Sequence, residues 1–159
     1  MNEHLGIYLN DHLAGSVVAI ELLEHLEKAH PGTELGQFVA GLHADISADQ
    51  QVLEALMKHL EITTSRPRKA MAWLTEKFTE LKLRFDDSAD GALRLLESLE
   101  TVAIGIDGKA ALWRSLAGAS EINPWLRNMD YAILEQRARE QRLRIEIERV
   151  KAAKLALKA

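Results

Sequence analysis

The sequence predicts an all-α protein: an antiparallel four-helix bundle with an additional C-terminal helix. Three observations carry this expectation. Apolar residues recur at steps of three and four through most of the 159 residues. No alternating stretch bounded by hairpin residues occurs. Breaks rich in Pro, Gly, Ser and Asp divide the chain into segments of roughly 20–28 residues, the lengths of bundle helices joined by short turns.

The first helix is expected from Glu3 to Ala29, with Leu5, Leu9, Leu13, Ile20 and Leu23 on its apolar face, and it stops at His30-Pro31-Gly32. The second opens at Thr33, with Gln37 near the capping-box position, and runs to Leu60. The stretch EITTSRP (Glu61–Pro67) is a break. The third helix starts near Ser65, tolerates Pro67 in its first turn and reaches Phe85. A turn at Asp86–Gly91 carries Ser88 as a cap for the fourth helix, Ala89 to Ala117. Gly118–Pro124 ends that helix. The fifth begins near Asn128 or Asp130 and shows a narrow stripe of Tyr131, Leu134, Ala138 and Ile145. Residues 1–122 are thus read as the bundle. Residues 123–159 are read as a basic helix packed on it or used for self-association in a homo-oligomer.

Composition narrows the function classes. A chain of 159 residues suits one domain with a sizeable core. The 47% apolar and 28% charged fractions are those of a soluble globular protein. The absence of cysteine excludes disulfides, thiolate metal sites and cysteine nucleophiles, and fits a reducing compartment. The first residues lack the basic region and apolar run of a signal peptide. No run of about 18 apolar residues exists, so no membrane span is expected and a cytoplasmic location is the default. Charge is unevenly spread: nine Lys/Arg against five Asp/Glu over residues 127–159, on an acidic remainder. The mixed signs and single aromatic of this tail do not favour nucleic acid.

The informative feature is polar residues inside apolar arcs. Placing residues 100° apart puts His12 and Ser16 on the inward face of the first helix. Asp45 and Asp49 share the second arc with Leu42, Ile46, Leu53 and Leu56. Lys77 falls among Trp73, Leu74, Phe78 and Leu81. Glu100 and Asp107 lie near the middle of a wide arc drawn through Leu93, Leu96, Leu99, Val102, Ile104, Ile106 and Trp113. Isolated charges at such positions would cost several kcal/mol each, on the order given by burial of unpaired ions, so they must pair, bind a cation or meet water. A shared buried layer of His12, Asp45, Asp49, Lys77, Glu100 and Asp107 is the expectation.

Inward carboxylates with a histidine in a helical bundle resemble the ferritin-like di-iron carboxylate proteins, over roughly residues 3–117. That resemblance implies a metal site, Fe or Mn, held by His12, Asp45, Asp49, Glu100 and Asp107, with oxidative activity. The family's Glu-x-x-His pairs are absent from the inward mid-helix faces; the one match, Glu27–His30, sits at a helix end beside Pro31. The break between the second and third helices is also short for a long crossover.

Other motifs carry less. GIDGK (Gly105–Lys109) has the residues of a phosphate loop without its spacing, inside a helical pattern; its glycines are read as allowing helix approach or a bend. Ser16, one turn from His12, has no implied oxyanion hole. Three readings follow. The leading one is a non-enzymatic helical protein without a cofactor, whose polar layer is an ion-pair network and whose last helix mediates interaction. The second is the metal-binding bundle. The third is a small ligand held between helices.

Overall fold

The computed structural model describes residues 3–64, Glu76, Thr79 and residues 91–158. Among these the chain is all-α, with no strand. Helix α1 spans Glu3–Ala29, α2 Glu34–His59, α3 Gly91–Ser120 and α4 Tyr131–Ala156, with a 3₁₀ turn at Pro124–Leu126 between the last two. The helix expected over residues 65–85, with Lys77 on its face, and the cap at Ser88 lie outside the described residues. No described helix is long and apolar enough to cross a membrane.

The turn between α1 and α2 is fixed by local chemistry. Gly32 takes φ +71°, a conformation open to glycine. Thr33 caps α2: its hydroxyl accepts from the Gly36 N–H at 3.0 Å and donates to the His30 carbonyl at 2.9 Å. A Cβ on Gly36 would stand 2.0 Å from that carbonyl oxygen, so the third helical position must be glycine. Gln37 therefore falls one position too late for a capping box, and its backbone N–H instead closes the first turn onto the Thr33 carbonyl at 3.0 Å. At the start of α4, Asp130 is the cap, accepting from the Ile133 N–H at 3.2 Å.

Helices α1 and α2 run in opposite directions. His43 lies 3.3 Å from Glu27 near the turn, and farther along Gln50 donates to Ser16 at 2.9 Å. Helices α3 and α4 also run in opposite directions, and their register is written in charge. Glu100 meets Arg149 at 3.1 Å, Asp107 meets Arg142 at 3.1 Å, and Arg114 meets Glu135 at 3.0 Å. Seven residues forward on α3 match seven back on α4, the repeat of two helices sharing a continuous seam. Exposed pairs of this kind select register more than they add stability. Beneath them Leu99, Ala103, Ile106 and Ala110 of α3 are buried with Ala138, Ile145 and Ala152 of α4. The alanines thin the seam, so the two backbones can approach closely.

Helix α1 packs on α3 as well as on α2. Two apolar clusters result. One joins Leu22, Leu23, Val39 and Leu42 to Leu99, Ile106, Ala138 and Ile145. The other joins Leu9, Leu53 and Met57 to Leu112, Trp113, Leu126, Tyr131 and Leu134. Both clusters include residues on each side of position 122, so the last helix shares its cores with the rest of the chain.

Candidate functional site

Asp49 sits between Ile46 and Leu53 on the face of α2 that packs inward, and only 2% of it is exposed. Three side chains from two other helices converge on it. Lys109 of α3 donates to its Oδ2 at 2.6 Å. Gln141 of α4 donates its amide to the same oxygen at 2.8 Å. Arg137, one turn earlier on α4, places Nη2 2.7 Å from Oδ1 as an ion pair not aligned for a hydrogen bond. Lys109 also donates to the Gln141 carbonyl oxygen. Burial pushes the Lys109 pKa below its ordinary value, with the neighbouring Asp49 opposing the shift. The arrangement holds one carboxylate, two cations and an amide.

The other described residues expected in this layer lie elsewhere. Asp45 is 41% exposed and pairs with Arg144 of α4. Glu100 and Asp107 are 45% and 62% exposed, in the ladder described above, so they are not buried. The reason is specific. Leu93 and Ile104 look like core in the sequence but are exposed. Counting them shifts the centre of the α3 arc onto the edge where Glu100 and Asp107 stand. Lys77 lies outside the described residues. Of the described members of the expected layer, Asp49 alone lies in the cluster, and Lys109, Arg137 and Gln141 are its unforeseen members. Two of them had a signal. Lys109 stands three residues after Ile106 and four before Trp113, both buried. Gln141 is the missing member of the series Tyr131, Leu134, Ala138, Ile145.

The five residues of the Fe or Mn reading are therefore not brought together. Among the described residues no group of three or more His, Asp or Glu side chains could hold a metal. At Asp49 the place of a cation is taken by the Lys109 ammonium.

His12 faces a cleft of about 270 Å³ between α1, α2 and α3, whose rim also includes Ser16, Gln50, Asp49 and Lys109 among apolar side chains such as Val18 and Leu112. Burial pushes its pKa below 6.5, and Asp11 nearby opposes this. Its ring meets Tyr8 edge to face, centroids 4.7 Å apart. The Ser16 hydroxyl donates to the Leu13 carbonyl at 2.6 Å, so its proton is not directed at His12 for nucleophile activation. Gly105 and Gly108 border the same cleft within α3, and a Cβ on either would meet nothing within 4 Å. Among the described residues no helix makes a close approach at either glycine.

The outward face of α4 carries a second apolar series. Leu143, Ile147, Val150 and Leu157 are all exposed, Leu143 by 71% and Ile147 by 60%. At 100° per residue they lie opposite Ala138, Ile145 and Ala152. Arg137, Arg144 and Lys151 recur every seven residues along one border, where Asp49, Asp45 and Glu148 respectively hold them.

The chain matches no protein-family model, curated protein or solved structure. The ferritin-like resemblance thus rests on the sequence pattern alone.

Asp49→Ala leaves the Lys109 ammonium buried without its counter-ion and is expected to cost about 3–5 kcal/mol in urea unfolding, whereas Asp49→Leu combined with Lys109→Met recovers most of that loss. A single-variant loss below about 1 kcal/mol contradicts a structural role for the cluster. His12 gives a pH signature. Its folded pKa is lowered, so the unfolded chain binds the proton more readily. Its stabilising contribution is complete above pH 6.5 and is lost as pH falls through 6.5 toward the lower folded value. Thermal melts across that range should show His12→Gln flattening the acid-side decline; an unchanged profile contradicts the assignment.

Proposed function

We propose that this is a non-enzymatic helical interaction protein. In this reading the Asp49 cluster fixes α4 on the body, and the outward face of α4 receives another helix. The whole-chain arrangement we propose is the antiparallel bundle with an added C-terminal helix. The opposite directions of α1 against α2 and of α3 against α4 support it.

One observation carries the reading. Helix α4 has two apolar series on opposite faces, and its described partners in the fold, α2 and α3, cover one of them. A helix whose neighbours lie on one side needs one apolar stripe, with charged residues facing water. A second stripe at 3–4 spacing is the pattern of a second helical contact. Self-association through this helix is one form such a contact takes. A cytoplasmic setting belongs to the same proposal and is supported by the cysteine-free composition. The metal-binding alternative has no converging ligand set in its favour among the described residues.

The test is photo-crosslinking in the native host with a photoreactive residue placed at 143, 147 or 157 in turn. The account expects a discrete adduct from these positions and none from position 104, which is exposed on α3. Absence of an adduct at all three, or the same products from position 104, overturns it.

A further inference from the structure

We infer that the cleft between α1, α2 and α3 binds a small uncharged molecule, mainly apolar and carrying one hydrogen-bond acceptor. The cleft is separate from the outer face of α4, so the inference stands independently of the proposed interaction role.

The cleft measures about 270 Å³, and its walls are largely side chains such as Val18, Ile46, Leu53, Ile104 and Leu112. An apolar cavity of about 150 Å³ suffices for benzene. There is room here for one ring, or two fused rings, with a short substituent. Enclosure between helices by apolar side chains, with a few polar groups among them, is the usual form of a small-molecule site. Gly105 and Gly108 keep the α3 wall open, since a Cβ on either would meet nothing within 4 Å. Glycine inside a helix weakens it. Neither residue has the positive φ that would call for glycine. What the pair provides, among the described residues, is width to the cleft.

Hydrogen bonding narrows the chemistry. Most polar groups of the wall are engaged within the protein. The Ser16 hydroxyl donates to the Leu13 carbonyl at 2.6 Å and accepts from Gln50 at 2.9 Å. Thr101 donates to the Glu97 carbonyl at 2.8 Å. Lys109 donates to Asp49 and to Gln141. Two groups of the wall are left over. Trp113 is 1% exposed, and its indole N–H meets no acceptor. His12 makes no hydrogen bond through its ring among the described residues. A buried donor without an acceptor is costly. A carbonyl oxygen or ring nitrogen on the ligand is the acceptor these groups lack.

Charge excludes ions. Asp49 and Lys109, the ionised groups of the wall, lie 2.6 Å apart and neutralise each other. Arg137 meets Asp49 from outside the residues that line the cleft. Burial holds the His12 pKa below its ordinary value, so the ring is a neutral imidazole near neutral pH. An anion or a cation entering the cleft would give up its hydration without finding a counter-charge.

The experiment uses the full chain labelled with ¹⁵N and two probes of matched size. One is 2-acetylnaphthalene, uncharged with a carbonyl acceptor; the other is 2-naphthoate, an anion. Binding is read by NMR from the indole N–H resonances of the three tryptophans, with that of Trp113 assigned by its loss in Trp113→Phe. 2-Acetylnaphthalene is expected to shift the Trp113 resonance saturably and to leave the exposed Trp125 unmoved. 2-Naphthoate should bind at least about tenfold more weakly. Gly105→Leu with Gly108→Leu fills the cleft and should lower the affinity for 2-acetylnaphthalene by about tenfold or more. Trp113→Phe keeps a ring but removes the donor, and should weaken binding about three- to tenfold, read from the backbone amides of Thr101 and Leu112. No saturable shift, equal affinity for the two probes, or undiminished affinity in a folded double-glycine variant overturns the inference. Should that variant lose its native spectrum, His12→Phe and Trp113→Phe decide: weaker binding in both supports the site, and unchanged binding in both overturns it.

Discussion

A carboxylate at the centre of an apolar helix face must be met there by charge and hydrogen-bond donors from other helices. At Asp49 those donors come from α3 and α4 together. Lys109 supplies the opposing charge, and Gln141 bridges the two by donating to Asp49 and accepting from Lys109. Bringing Asp49 inside therefore commits three helices to one height and one rotation. An apolar contact tolerates sliding by a turn; this cluster does not, because a shifted α4 leaves a buried ion unpaired.

The charge ladder between α3 and α4 repeats the same instruction at the surface. Three pairs at seven-residue steps agree with the register that the buried cluster demands. Agreement between a buried constraint and a surface one is what allows a thin, alanine-rich seam to define a single arrangement. The inward face of α4 is filled by Tyr131, Leu134, Ala138, Gln141, Ile145 and Ala152, and Leu143 and Ile147 stand on the outward face.

Helix existence and ends were largely legible in the sequence because they depend on local chemistry. Ala29 as the end of α1 and Thr33 as the start of α2 follow from the residues at those positions, and of the two starts that the sequence offers for α4, Asn128 or Asp130, the cap is Asp130. The site was less legible. Asp49 stands at the middle of its arc and is buried there. Glu100 and Asp107 were misplaced because the periodicity of one helix does not reveal which side a neighbour occupies, and the exposed Leu93 and Ile104 bias the arc. Lys109 is hard to read as inward because Gly105 and Gly108 give its segment the residues of a loop motif. Gln141 is a polar member of an apolar stripe, and apolar periodicity passes over it. His12 does face inward, but it meets the Tyr8 ring and a cleft, which sequence spacing within one helix cannot specify.

The central claim is that α4 is locked to the body as part of one cooperative core. Native-state hydrogen exchange measures this directly. The account predicts that amides of α4 from Ala138 to Ile145 exchange only with the opening that also exposes Leu99 to Ile106 of α3, at the free energy of global unfolding. Exchange of that α4 stretch through a separate opening of lower free energy, with α3 still protected, would contradict it.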